Sequence, residues 1–208
     1  MDGVFMKKCA KLLGFCFLTA VLIWFGAVLT DRQKLNEELI RLHVVADSDS
    51  EKDQTVKLQV RDAVTSYLRE AMADIGDVDT AKAYIRENLP KIQAIANQAL
   101  AAAGIDETAV VQLQKEAFDV RFYDTFRLPA GVYESLRIII GEGEGKNWWC
   151  VVFPSLCLPA TGTEFEDVAA GAGFEGALLG ALEGKPEYEI RFFLLDKLGQ
   201  LENKFFRQ

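Results

Sequence analysis

The sequence has little of what a metalloenzyme or a nucleic-acid-binding protein needs. Histidine occurs once, as His43, and the 208 residues include only four cysteines and five prolines. Acidic residues outnumber basic ones by 31 to 23, for a formal net charge of −8. One histidine cannot build a histidine-rich metal site, and an acidic chain lacks the basic footprint that binds phosphates. We therefore expect no metal, no cofactor, no small-molecule ligand and no nucleic-acid partner. The acidic charge also argues against a peripheral site on anionic lipid.

The N-terminus is the part of the chain where basic residues are in excess. Three lysines within residues 7–11 precede eighteen uncharged residues, 12–29 (LLGFCFLTAVLIWFGAVL). Such a run is just long enough to span a bilayer as a helix, and the basic flank directs the C-terminal part of the chain across the membrane. We predict that residues 1–30 are a signal peptide or a signal anchor, cleaved or retained, and that residues 31–208 form a single exported domain.

Hydrophobic periodicity after this segment predicts an α+β fold. Alternation of apolar and polar residues predicts strands at about 40–46, 110–122 (one long strand or two short ones), 136–140 and 148–153. Spacings of three and four predict helices at about 51–73, 80–88 and 90–103. These elements suit a small antiparallel or mixed sheet with helices packed on one face, and the loop GEGEGKN suits a hairpin between the last two strands.

The C-terminal quarter of the chain divides into two parts. Residues 160–185 are rich in glycine and alanine without a clear period, and we expect a flexible, weakly structured insertion there, with a short helix near its end as an option. After it, Pro186 starts a segment that predicts a C-terminal helix, with a strand over 188–195 as the alternative. The apolar stripe expected to be buried on this helix consists of Ile190, Phe193, Leu194, Leu198 and Leu201.

The acidic segment DSDSEKD (47–53) resembles the start of a calcium loop. An EF-hand needs glycine at its sixth position and glutamate at its twelfth, where this sequence has Lys52 and Leu58. A helix start explains the same residues without an ion, because side-chain oxygens cap free backbone amides and acids favour the helix N-terminus. The residues predicted to have these structural capping roles are Asp47, Asp49, Ser50 and Asp53.

The segment NWWCVVFPSLC (147–157) holds two of the three tryptophans and two of the four cysteines. In an oxidising compartment Cys150 and Cys157 can pair, and their spacing differs from the C-x-x-C of redox-active pairs. We interpret them as a structural disulfide, with two free buried thiols or a redox pair as the alternatives. Neighbouring tryptophans on a strand face opposite sides, so one enters the core while the other is covered or available to a partner. The candidate partner contacts are Asn147, Trp148 and Trp149.

Three segments resemble the stage II sporulation protein R family of endospore-forming bacteria. RLHVVADSDSEKDQTVKLQVRDAV (41–64) and AGVYESLRIIIGEGEGKNWWCVVFPSLC (130–157) are similar to its two signature blocks, and YEIRFFLLDKL (188–198) is similar to its C-terminal block. Asp47 stands where asparagine is commoner in the family. The segment before Pro129 is shorter than the family pattern.

The resemblance implies a signalling protein rather than an enzyme. It implies export from the forespore into the intermembrane space and activation there of a membrane-embedded aspartic protease of the mother cell, which processes the precursor of sigma-E. No catalytic residue and no cofactor are implied. The alternative from the residues alone is a membrane-anchored envelope enzyme, a hydrolase or thiol oxidoreductase, that would use His43 or the pair Cys150 and Cys157.

Overall fold

The computed structural model describes residues 2–155 and 162–207. In chain order its elements are α1 (Asp2–Glu38), β1 (Ile40–Val45), α2 (Glu51–Ala71), α3 (Val78–Glu87), α4 (Leu89–Ala102), β2 (Ala109–Phe118), β3 (Arg121–Phe122), β4 (Arg127–Leu128), β5 (Gly131–Ile140), β6 (Asn147–Phe153), α5 (Gly162–Gly171), α6 (Gly176–Leu182), a short 3-10 turn (Pro186–Tyr188) and α7 (Glu189–Phe206). The α+β class, the mixed sheet and the N-terminal hydrophobic helix predicted from the sequence are confirmed.

Helix α1 is a continuous helix of 37 residues with two different environments. From Phe5 through Ala27 its side chains are almost all exposed, and apolar residues such as Phe17 and Ile23 are 73% and 75% exposed. From Val28 onward it packs against the rest of the protein, where Leu35 is fully buried. Within the described residues, one helix is long and apolar enough to cross a membrane, and it is this one.

The main sheet has four strands in the order β2-β5-β1-β6. β1 is parallel to β5 and antiparallel to β6, and β2 is antiparallel to β5, so the sheet is mixed. β5 and β6 therefore do not form the hairpin expected from the loop between them, because β1 lies between the two strands. The loop instead passes over the end of β1, and its glycines allow that close approach. A Cβ at Gly145 would lie 2.3 Å from the carbonyl oxygen of Ser48.

The first face of the sheet carries helices α2, α3 and α4. Helix α2 buries an apolar stripe with the predicted spacing, which includes Val56, Val60, Val64 and Leu68. These side chains meet sheet residues such as Leu42 in one hydrophobic core. The bounds of the three helices agree with the sequence prediction to within two residues.

The second face is also covered by helices, whereas the sequence led us to expect helices on one face only. The end of α1 and helices α5, α6 and α7 build a second hydrophobic core there with residues of β5 and β6. Of the segment expected to be weakly structured with at most a short helix near its end, residues 162–182 contain two helices, α5 and α6. Phe165 of α5 and Phe174 of the turn between the helices are buried. The apolar residues among the glycines and alanines were sufficient to order the two helices, because a preformed apolar face of the sheet was available to them.

The C-terminal helix is present as α7, but its buried side differs from the predicted stripe. Of the predicted stripe, Leu194 and Leu198 are partly buried against the second core, whereas Ile190, Phe193 and Leu201 are 70%, 55% and 56% exposed. The fully buried side is formed instead by Phe192, Leu195 and Gly199. The periodicity alone could not choose between the two sides, because both carry apolar residues.

Candidate functional site

Strand β6 places the two neighbouring tryptophans on opposite sides of the sheet. Trp148 packs against the first core and Trp149 against the second, and each remains partly exposed. An arginine covers each indole ring: the guanidinium carbon of Arg61 lies 4.6 Å from the ring centre of Trp148, and that of Arg121 lies 3.5 Å from the ring centre of Trp149. Stacking of this kind holds both indoles in place while leaving part of their surface to solvent.

The two tryptophans line the floor of an open cavity of about 510 Å³. Helix α2 provides one wall through Arg61 and Thr65, and the β3–β4 hairpin provides the other through residues 121–126. Among the described residues β6 is an edge strand of the sheet, so the cavity runs along an unshared strand edge. We call this cavity the β6 groove. It combines tryptophan, arginine and phenylalanine, the residue types enriched at protein–protein contacts.

The β3–β4 hairpin, which forms one wall of the β6 groove, is held in place by the buried side chain of Arg41. This side chain is fully buried on β1, and its guanidinium donates to the hydroxyl of Tyr123 over 2.9 Å. It also lies against the ring of Phe118, 4.0 Å from the ring centre. The rings of Tyr123 and Phe126 stack at 4.5 Å, which closes the hairpin. The groove therefore has one wall fixed by buried contacts rather than by a mobile loop.

His43, the single histidine, lies beside the groove and organises its end. Its Nε2 is 2.7 Å from Oδ1 of Asn147, and its Nδ1 is 3.2 Å from Oε1 of Glu116. The imidazole also stacks on Trp149, with ring centres 5.6 Å apart. Both ring nitrogens and one ring face are thus occupied by neighbouring side chains. This arrangement aligns Asn147 and Trp149 and does not leave His43 placed as a free general base.

Glu116 is the carboxylate that holds His43 from the other side. Burial raises the pKa of Glu116, but the hydrogen bond and charge of His43 and the charge of Arg137 outweigh burial, so the pKa lies below its ordinary value. Arg137 lies 3.3 Å from the same carboxylate. Glu116 is therefore ionised at neutral pH and links β1, β2 and β5 at this point of the sheet.

The acidic segment after β1 divides its roles between the helix start and the loop. Ser50 is the N-cap of α2, and its hydroxyl accepts from the amide of Asp53, whose carboxylate accepts from Ser50 in return over 2.8 Å. Asp47 and Asp49 do not cap the helix as predicted. Asp47 accepts from the amide of Glu142 and Asp49 from that of Lys146, at 2.8 and 2.7 Å.

These two carboxylates hold the loop that leads into β6. Lys57 supports the same loop, because its buried ammonium group donates to the carbonyl of Lys146 over 2.9 Å. A side chain at Gly141 would displace this arrangement, since a Cβ there would lie 2.1 Å from Oδ1 of Asp47. No group of three or more acidic, histidine or cysteine side chains in residues 2–155 and 162–207 is arranged to hold a metal ion.

Of the two cysteines of the candidate disulfide, only Cys150 lies within the described residues. Cys150 lies in the middle of β6 and is 3% exposed, which agrees with its predicted place on the strand. Cys157 lies outside the described residues, so the pairing of Cys150 with Cys157 stays a prediction. The redox alternative needs an accessible thiolate, and a nearly buried position does not favour one.

Several residues of the site were missed by sequence reasoning. Arg61, Arg121 and Glu116 each contact a candidate residue, but they come from α2, β3 and β2, far from β6 in sequence. No motif connects them. Glu116 could have been found only from the strand order. Its strand β2 and the strand β1 of His43 lie on either side of β5, and this arrangement exists only in the folded sheet.

Comparison with known proteins places this geometry in a family context. The profile of the family described as stage II sporulation protein R (spore_II_R) matches residues 36–162, which include every strand of the sheet and the β6 groove. The stage II sporulation protein R of Bacillus subtilis (strain 168) is 40% identical to this chain over 121 residues, 58% of this chain and 54% of that protein. The match therefore spans about half of the relative's length. No solved structure matches the chain.

Proposed function

The chain belongs to the stage II sporulation protein R family, and from this membership we propose that it is an exported signal of sporulation. In this proposal it leaves the forespore and enters the intermembrane space. There it activates a membrane-embedded aspartic protease of the mother cell, which processes the precursor of sigma-E. The protein acts by binding and carries no catalytic residue of its own.

The N-terminal helix supports export. The apolar run is almost entirely exposed from residue 12 through Ala27, and this part is free to lie in a bilayer. Three lysines precede it, which favours an N-terminus retained on the side of synthesis and a body on the far side. Either a retained anchor or a cleaved signal is compatible with this arrangement.

The β6 groove is the observation that supports a binding function most directly. It presents Trp148 and Trp149 beside Asn147 on an edge strand, with the two arginines holding the rings ready for contact. Preordered aromatic residues lose little conformational entropy on binding, and buried tryptophan anchors dominate many interfaces. We propose that the extracytoplasmic part of the protease contacts this groove, with these three residues as contacts.

Substitutions in sporulating cells test the proposal, with cleavage of the sigma-E precursor as the readout. Trp148 and Trp149 also support the cores, so the sharpest variant is Phe122→Ala: Phe122 lines the groove and is 72% exposed. Loss of one interface anchor weakens binding roughly tenfold or more, so we expect impaired cleavage. Val110→Ala is the matched control, since Val110 is 46% exposed on the opposite edge strand.

Two results would contradict the proposal at different levels. Normal cleavage in Phe122→Ala and in both folded tryptophan variants would remove the β6 groove from the contact. Normal cleavage after deletion of the whole gene would remove the signalling function itself.

A further inference from the structure

Helix α7 presents an apolar and basic face to solvent. We call this the outer face of α7, and its members are Ile190, Phe193, Lys197, Leu201, Lys204 and Phe205. Its apolar residues are 55–74% exposed. These residues recur with helical spacing on the side opposite the buried Phe192 and Leu195. A large exposed apolar face on an otherwise well-packed helix indicates a surface that another body covers.

The charges on α7 are segregated between its two sides. Its three acidic residues are engaged elsewhere: Glu189 with Arg127, Asp196 with the amide of Ala130, and Glu202 with Arg32 and Asn36. The outer face keeps Lys197 and Lys204 and carries no acid. In a chain of net charge −8 this local composition is opposite in sign to the whole. An anionic covering body therefore complements it.

Contacts with α1 fix where α7 lies relative to the membrane segment. Arg191 pairs with Asp31 over 2.5 Å, Arg32 donates to the carbonyl of Leu195, and Asn36 donates to Glu202. Along α7 these contacts advance eleven residues, about 16 Å, but along α1 only five residues, about 7 Å. Helix α7 therefore contacts α1 directly beyond the uncharged run that ends at residue 29.

The outer face of α7 is opposite the side that packs on the sheet. On the packed side a Cβ at Gly199 would lie 1.6 Å from the carbonyl of Ala130, and Asn203 donates to the carbonyl of Phe118. The opposite side is left exposed on a helix that contacts α1 directly after its apolar run.

We propose that the outer face of α7 lies on the anionic surface of the same bilayer that holds residues 12–29 of α1. Phenylalanine, isoleucine and leucine enter the headgroup boundary, while Lys197 and Lys204 meet anionic headgroups, as in interfacial amphipathic helices. The body is then held by two contacts, the spanning segment and α7, which fixes its orientation above the membrane. The net acidic charge of the chain does not prevent this, because it resides on other surfaces. Among the described residues that line the β6 groove, none belongs to α7, so this contact is separate from the groove.

The full chain in lipid nanodiscs tests the proposal. A lipid with a diazirine in its headgroup region is photoactivated, and labelled peptides are quantified by mass spectrometry. We expect peptides of α7 to be labelled roughly fivefold or more above the peptide that carries Val110, and labelling to fall when phosphatidylglycerol is replaced by phosphatidylcholine. The double variant Lys197→Glu/Lys204→Glu should lose this labelling. The control Lys52→Glu/Lys91→Glu makes the same charge change on exposed helix residues elsewhere and should retain it.

Three outcomes would overturn the proposal. One is α7 labelling no higher than that of the Val110 peptide, and another is equal loss in the two double variants. The third is crosslinking of α7 to α7 of a second chain instead of lipid, which would assign the outer face to a dimer. Circular dichroism of each variant excludes unfolding as the cause.

Discussion

Val28 tests how far the folded body extends into the N-terminal helix. Its side chain is fully buried in the second core, whereas its neighbour Leu29 is 44% exposed. Removing a buried aliphatic side chain costs its transfer free energy and leaves a cavity, so Val28→Ala should lower the free energy of unfolding by about 2 kcal/mol. Because about 1 kcal/mol shifts the melting temperature of a protein of this size by about 2–4 °C, we expect a decrease of about 4–8 °C.

The measurement is thermal unfolding of the full chain in detergent, followed by near-ultraviolet circular dichroism of its aromatic residues. Leu29→Ala is the matched control, one residue away in the same helix, and should change stability by less than about 0.5 kcal/mol. Equal effects of the two substitutions, or no effect of Val28→Ala, would refute the packing of α1 against the body. If α1 packs in this way, cleavage after residue 29 would remove the side chain of Val28 from the second core. The folded body then begins before residue 31, where the sequence placed the start of the exported domain.

Three further predictions concern the body. Glu116→Gln should lose about 1.5 kcal/mol of stability at pH 7. Because the folded pKa of Glu116 is lowered, the difference from the parent should shrink as the pH falls below the ordinary value of 4.5, and a gap that stays constant as the pH falls below that value would argue against the ion pair. Gly199→Ala should destabilise by more than about 2 kcal/mol through overpacking, whereas Gly171→Ala, with open space around its Cβ, should be nearly neutral in the same denaturation assay. Ser50→Ala should cost about 1 kcal/mol in urea unfolding through the lost N-cap; a cost equal to zero would argue against a stabilising cap at Ser50.

Local sequence patterns were sufficient to predict most of the helices and strands. The apolar stripe of α2 and the cap at Ser50 each depend on residues within a few positions of one another, and such short-range relations are visible in the sequence. The family resemblance was equally visible, because it rests on contiguous blocks. The family profile covers the blocks 41–64 and 130–157, whereas the block 188–198 lies outside the matched residues. Trp148 and Trp149 could be recognised as facing opposite sides from strand geometry alone.

The order of strands could not be predicted, since β1 inserts between β5 and β6 through contacts that join distant parts of the chain. That insertion converts Asp47 from an expected helix cap into an anchor of the loop before β6. It also brings Glu116 to His43 across the sheet. Sequence separation of this size leaves no periodic signal, because pairing between distant strands has no fixed spacing along the chain.

The sequence by itself determined most of the helices and strands, which segment can enter a membrane, and which family the chain resembles, because these depend on neighbouring residues. The tertiary structure decided which side of α7 is buried, because both sides of that helix carry apolar residues. Ile190 and Phe193 are as apolar as Phe192 and Leu195, and only the packing of α7 against α1 and the sheet leaves the first pair exposed. It likewise ordered α5 and α6 on the second face, since burial against a preformed surface can outweigh the weak helical preference of a glycine-rich segment.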